Sequence, residues 1–121
     1  MSARAPRTVR LPCPDGGPEI DLLPSIEVWE AIEQKFGGLG GLYQEQCYGR
    51  VRFKLMCELI WRCSRNAGNL ETLKAISERC YKLGLHQLAE VTDKLWLDIM
   101  KPTEEPAGEG DADGTPLASG G

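Results

Sequence analysis

The chain has 121 residues, 41% of them hydrophobic and 26% charged, with a net charge of −4. That length suits one small domain, and the composition is that of an ordinary soluble globular protein. The longest apolar run is a few residues, which excludes a membrane-spanning helix, and the negative balance disfavours a general polyanion binder.

The N-terminal decapeptide carries three arginines with no long apolar stretch after them, so a secretory signal is not expected and the protein reads as intracellular, in cytoplasm or nucleus. Four of the five cysteines fall within apolar helical pattern, which points to reduced, mostly buried thiols rather than a disulfide framework. Residues 1–24 contain five prolines with Gly16 and Gly17. That density of breakers predicts an extended or disordered arm.

From 25 to 101 the pattern is helical. Ser25 is a suitable N-cap, and Val28, Trp29, Ile32 and Phe36 place helix one over residues 26–36, with Gly37 as its stop and "GGLGG" as a bend. Phe53, Leu55, Met56, Cys57, Leu59, Ile60 and Cys63 cover roughly 200° of a helix circumference, the width of a central, mostly buried helix. Its start is open, either at Gly49 or near Leu42. Asn69 is the expected cap of a third helix carrying Leu70, Leu73, Ile76, Cys80 and Leu83, stopped by Gly84. Leu85, Leu88, Val91, Leu95, Trp96 and Ile99 mark a fourth, forming a helical hairpin with the third against the central helix. No strand pair is expected. Residues 102–121 are Gly, Pro, Ala and acid, a composition that predicts a disordered acidic tail. The fold class read from this pattern is all-α: a small four-helix domain between an arm and a tail.

The tail holds Glu104, Glu105, Glu109, Asp111 and Asp113, more negative charge than the whole chain's balance. The rest of the chain is therefore slightly positive. Catalysis needs convergent groups; the single histidine, His86, falls at the start of the fourth helix and reads as a partly exposed cap-region residue, no acid recurs on the apolar faces, and "GGLGG" lacks the lysine of a phosphate-binding loop. An enzyme is not expected, nor a cofactor. A metal site would have to recruit Cys47, Cys57, Cys63, Cys80 and His86, but no closely spaced cysteine pair exists. Nine residues separate Cys47 and Cys57, as in the helical-hairpin proteins of the mitochondrial intermembrane space; that family needs a second such pair, which this sequence lacks.

Four features bear on partners. Arg50, Lys54, Arg62 and Arg65 project within roughly 120° on the central helix, beside Trp61 and interrupted by Glu58, a face able to bridge the phosphates of duplex RNA. Leu88, Val91, Leu95 and Leu97 have the spacing of a leucine-rich export signal, for which core packing is the simpler account. Leu22 and Leu23 can staple onto helix one near Trp29. Finally Leu11, Cys13 and Asp15 in "LPCPDG" resemble the Leu-x-Cys-x-Glu motif that docks on retinoblastoma pocket proteins as an extended peptide. The resemblance implies apolar slots for Leu11 and Cys13 and backbone hydrogen bonds to the acid, with Asp15 standing where the motif has Glu.

The sequence thus reads as a non-enzymatic interaction or adaptor protein, of a kind that suits a viral accessory or regulatory protein binding host factors. Its expected protein-binding residues are Leu11, Cys13, Asp15, Trp29, Tyr43, Tyr48 and Trp61. A thin core over about 75 residues makes homo-oligomerisation a further expectation. The alternative is sequestration of double-stranded RNA through Arg50, Lys54, Arg62 and Arg65.

Overall fold

A computed structural model of the chain describes residues 9–100. Two short strands, β1 (Val9–Leu11) and β2 (Ile20–Leu22), precede five helices: α1 (Ile26–Phe36), α2 (Leu39–Cys47), α3 (Phe53–Asn66), α4 (Leu73–Leu83) and α5 (Leu85–Met100). The fold is mostly helical, as the periodicity predicts, with one more helix than expected and a small sheet that was not.

The sheet corrects the reading of the arm. β1 and β2 pair antiparallel with Val9 opposite Leu22, Arg10 opposite Asp21 and Leu11 opposite Ile20. Each strand turns its outer residues into the core and its middle residue to solvent, where Arg10 Nε donates to Asp21 Oδ1 at 3.1 Å. The prolines do not break this hairpin because Pro12, Pro14 and Pro18 all lie in the connection between the strands, where no ladder donor is needed. A turn closes there with the Gly16 N–H donating to the Cys13 carbonyl at 3.0 Å, and Gly16 takes the positive φ of +79° that L-residues resist. β1 then packs on α5 and β2 on α3.

Helix α1 follows its sequence signals closely. Ser25 Oγ accepts from the Val28 N–H at 3.3 Å, and Gly37 caps the other end. The glycine-rich segment departs from expectation: Gly40 and Gly41 lie inside α2 rather than in a bend. Helix α2 buries Leu42 and Gln46 only, and Gln46 attaches it to α5 through its Nε2, which lies 2.9 Å from Thr92 Oγ1, 2.8 Å from Asp93 Oδ1 and 3.3 Å from the Ala89 carbonyl. Tertiary hydrogen bonds therefore outweigh a cost of about 1 kcal/mol per glycine. Gly49, at φ +76°, ends this helix instead of opening the next. Arg52 spans the break, its Nε and Nη2 donating to the Glu45 carboxylate at 3.1 and 3.2 Å.

Helix α3 is central, in contact with β2, α1, α4 and α5, and every residue from Leu55 to Ile60 is buried. The cap of α4 is Thr72, whose Oγ1 accepts from the Ala75 N–H at 3.1 Å. Asn69 instead closes a local turn by accepting from the Glu71 N–H at 2.8 Å, leaving Leu70 82% exposed outside the helix. Gly84 separates α4 from α5 as expected. One continuous core joins strands and helices, with Trp96 stacked near Trp29 at 4.7 Å and near Tyr43 at 5.8 Å between ring centroids.

The hairpin's place in that core has a measurable consequence. Leu11 has 0% exposure, so Leu11→Ala should lower unfolding free energy in urea by about 2–5 kcal/mol, as for other large-to-small core truncations. A change within about 0.5 kcal/mol, typical of a loose surface segment, would show that the hairpin does not hold in solution.

Candidate functional site

The residues expected to bind partners are dispersed by the fold. Leu11 is in the core, Cys13 is half-buried and Asp15 is exposed at the hairpin turn. These three do not stand together as a free extended peptide, because the inward-facing side of a strand and a solvent-facing turn separate them. Docking in the manner of the Leu-x-Cys-x-Glu motif would require Leu11 to leave the core. Cys13 lies instead in a cleft with Glu71, Glu78, Arg79 and Lys82 of the α4 region. Hydrogen bonds from the backbone N–H groups of Asp15 and Gly17, with a smaller contribution from the Arg79 guanidinium, lower its thiol pKa below the ordinary value.

The aromatic candidates also part company. Trp29 is a core residue, its indole Nε1 donating to Asp98 Oδ2 at 3.2 Å, and Tyr43 is half-buried against Trp96. Tyr48 is 74% exposed at the C-terminal cap of α2. Trp61 combines partial exposure with a fixed ring. Its Nε1 donates to the Glu71 carbonyl at 3.1 Å, and the guanidinium carbons of Arg62 and Arg65 lie 5.4 and 5.5 Å from the ring centroid. These are cation–π distances.

The basic face is similarly rearranged. Arg50 precedes α3 and so is not on its face, while Lys54 is exposed in the first turn. Glu58, which interrupts the four cations in sequence, is 2% exposed. It is matched by Lys35 Nζ of α1 at 3.0 Å on one carboxylate oxygen and by Arg62 Nε, one turn along α3, at 2.9 Å on the other. Arg62 is thereby both an ion-pair partner and a neighbour of Trp61.

Together Trp61, Arg62, Arg65 and Asn66 of α3 face Ser25, Glu27 and Val28 at the start of α1 across a groove of about 320 Å³. The groove is positioned by backbone and side-chain bonds between its walls: the Leu23 N–H donates to the Cys63 carbonyl at 3.0 Å, and Asn66 Nδ2 donates to the Leu23 carbonyl at 2.7 Å. It offers an aromatic surface, two guanidinium groups and one opposing carboxylate, Glu27. Its charge balance is positive, beside a lining that is partly aromatic and aliphatic. Sequence reading reached Trp61, Arg62 and Arg65 as site residues but not Asn66, one turn past Arg62 on the same helix, nor Ser25, Glu27 and Val28, which the α1 to α3 packing brings in.

The stripe with export-signal spacing is mainly core: Leu88, Val91 and Leu95 are buried and Leu97 is exposed. Cys57 and Cys80 are buried on adjacent helices, and the hydrogen bond between their thiols, together with burial, raises the Cys80 pKa, while burial pushes Cys63 up to about 12. Among the described residues no three His, Cys, Asp or Glu side chains converge as metal ligands, and no helix is long and apolar enough to cross a membrane. Comparison of the chain with protein-family models, curated proteins and solved structures found no match.

Two outcomes follow from these environments. Lys35→Met with Arg62→Met leaves the Glu58 carboxylate buried and unpaired and should cost about 3–5 kcal/mol in urea unfolding. Adding Glu58→Met should recover most of that loss, and a triple variant no more stable than the double would contradict the ion-pair account. In native alkylation with iodoacetamide followed by peptide mass spectrometry, Cys13 should react ahead of buried Cys57, Cys63 and Cys80. Because its thiolate is favoured, the pH midpoint of its rate should fall below the 9.0 of an unperturbed thiol.

Proposed function

We propose that the protein is a non-enzymatic interaction module whose partner-binding surface is the groove around Trp61, and that it takes an extended, acidic segment of a partner protein. The observation that carries this reading is the Trp61 ring with Arg62 and Arg65 at 5.4 and 5.5 Å. Tryptophan and arginine are the side chains most enriched among binding hot spots, since they combine large contact area with directed donors. Trp61 is already oriented by its bond to the Glu71 carbonyl, so little ordering entropy is lost when a ligand covers it. Arg65 makes its described contact with that ring and presents a guanidinium to an incoming carboxylate, while Val28 supplies an apolar wall.

Duplex RNA is less well supported. Of the four cations proposed for it, Arg62 has its Nε engaged by Glu58 and Arg50 stands off the helix face, leaving Lys54 and Arg65 near opposite ends of α3. Two separated charges bridge few phosphates and give little counterion release.

The test is fluorescence anisotropy of a labelled decapeptide alternating Glu and Leu, titrated with the full chain. Trp61→Ala or Arg65→Glu should weaken binding about tenfold or more, whereas Tyr48→Ala should leave it unchanged. Equal loss in all three variants, or no binding of the peptide, would overturn the proposal. Tight, steeply salt-dependent binding of a short RNA duplex in place of the peptide would transfer the groove to the alternative ligand.

A further inference from the structure

Two thiols meet in the interior between α3 and α4. Helix α3 packs on α4 more extensively than on any other helix, and Cys57 and Cys80, at 2% and 0% exposure, face one another across that contact. Their sulfurs lie within hydrogen-bonding reach, with the Cys80 thiol donating to Cys57. The Ser77 hydroxyl, about one turn before Cys80 on α4, donates to the same sulfur. Buried cysteines ordinarily behave as small apolar groups. Here two donors converge on one of the pair, and they bring the Cys57 thiol below its ordinary value in spite of burial.

Cys63 supplies the contrast. It is equally buried on the same helix, but burial and the charge of Asp98 both hold its proton and push it up to about 12. Cys57 also has a way to solvent that runs through Ser77. That residue is half-buried and lines a surface cleft of about 320 Å³ on α4 with Lys74, Glu78, Tyr81 and Lys82. The Ser77 side chain thus connects the cleft to the Cys57 sulfur, a distance that a very small molecule covers with local opening of the helix surface.

We propose that Cys57 and Cys80 form a dithiol site for a small hydroperoxide, with Cys57 the attacking thiol and Cys80 the resolving one. The Cys57 sulfur attacks one peroxide oxygen; an S–O bond forms as the O–O bond breaks, and the departing oxygen takes the proton that Cys57 has lost. The Cys80 sulfur then attacks the Cys57 sulfenic acid, forming the S–S bond and releasing the hydroxyl with the Cys80 proton as water. Two electrons pass from the thiols to the peroxide, and the sulfurs close from hydrogen-bond contact to about 2.05 Å. The link closes a loop over residues 57–80 that holds Trp61, Arg62, Arg65 and Asn66, together with the Glu71 carbonyl to which Trp61 is bonded. Oxidation fastens this wall of the groove to the segment leading into α4, and a thiol reductant releases it.

The experiment uses the full chain carrying Cys13→Ser and Cys47→Ser, so that Cys57, Cys63 and Cys80 are its only thiols. It is treated with hydrogen peroxide, alkylated in denaturant and digested for mass spectrometry. Cys57 and Cys63 stand about 9 Å apart along the axis of α3, beyond disulfide reach. In the folded chain the link from Cys57 to Cys80 should therefore exceed that from Cys57 to Cys63 about tenfold or more. In denaturing urea that preference should be lost, because the 57–63 loop is the shorter and closes more readily. Dithiothreitol should restore all three thiols. In Cys80→Ser, whose hydroxyl keeps the donor, dimedone should capture Cys57 as its sulfenic acid about tenfold faster than Cys63. Absence of the Cys57 to Cys80 link in the folded chain would overturn the proposal, and so would its formation in urea alone. Equal oxidation of Cys57 and Cys63 in the folded chain would do the same.

Discussion

A carboxylate buried at the middle of a central helix has to be matched, and the way Glu58 is matched organises much of this molecule. Its two oxygens are taken by cations from different places, Lys35 of α1 and Arg62 one turn along α3. The first ties α1 to α3; the second fixes Arg62 beside Trp61. Buried ion pairs seldom outdo apolar packing in stability, because desolvation offsets most of the Coulomb energy. Here the pairing is better understood as positional, since it joins the C-terminal end of α1 to the middle of α3 and holds Arg62 next to Trp61.

The hairpin contributes in a different way. Five helices of modest length leave the faces of α3 and α5 partly uncovered, and Val9, Leu11, Ile20 and Leu22 cover them with a sheet of only two three-residue strands. A two-stranded ribbon is marginal in water by itself. Packing on α3 and α5 supplies the missing apolar face, and the β2 to α1 linker, bonded to Cys63 and Asn66, carries the chain directly into the groove's α1 wall. The segment that resembles a free docking peptide is thus part of the hairpin that completes the core.

That surface is small, and its character follows from balance rather than from total charge. Arg62 is already half spent on Glu58, Arg65 rests on an aromatic ring, and Glu27 opposes both. That balance is what underlies the proposal of a ligand combining carboxylates with apolar contact over one that offers a dense line of phosphates.

Much of the helical framework was legible because local rules decide it. Ser25 and Gly37 bound α1, Gly84 divides α4 from α5, and the dense apolar pattern of Phe53 to Cys63 marks α3 as central. Where local signals conflict, tertiary bonds chose. Gln46 holds a glycine-bearing α2 against α5, Thr72 rather than Asn69 caps α4, and the alternation of Val9 to Leu11 and Ile20 to Leu22 was too short to outweigh the prolines around it. The candidate site divides along the same line. Trp61, Arg62 and Arg65 are neighbours on one helix, so helical spacing alone brings them together. Whether Trp29 faces a partner or the core, whether Leu11 is displayed or buried, and whether Glu58 interrupts a basic face or anchors it depend on which surfaces α1, α5 and the hairpin cover. The sequence by itself determined periodicity, capping and charge, which act over a few residues; only the tertiary structure decided burial and pairing, which depend on residues brought together from distant parts of the chain.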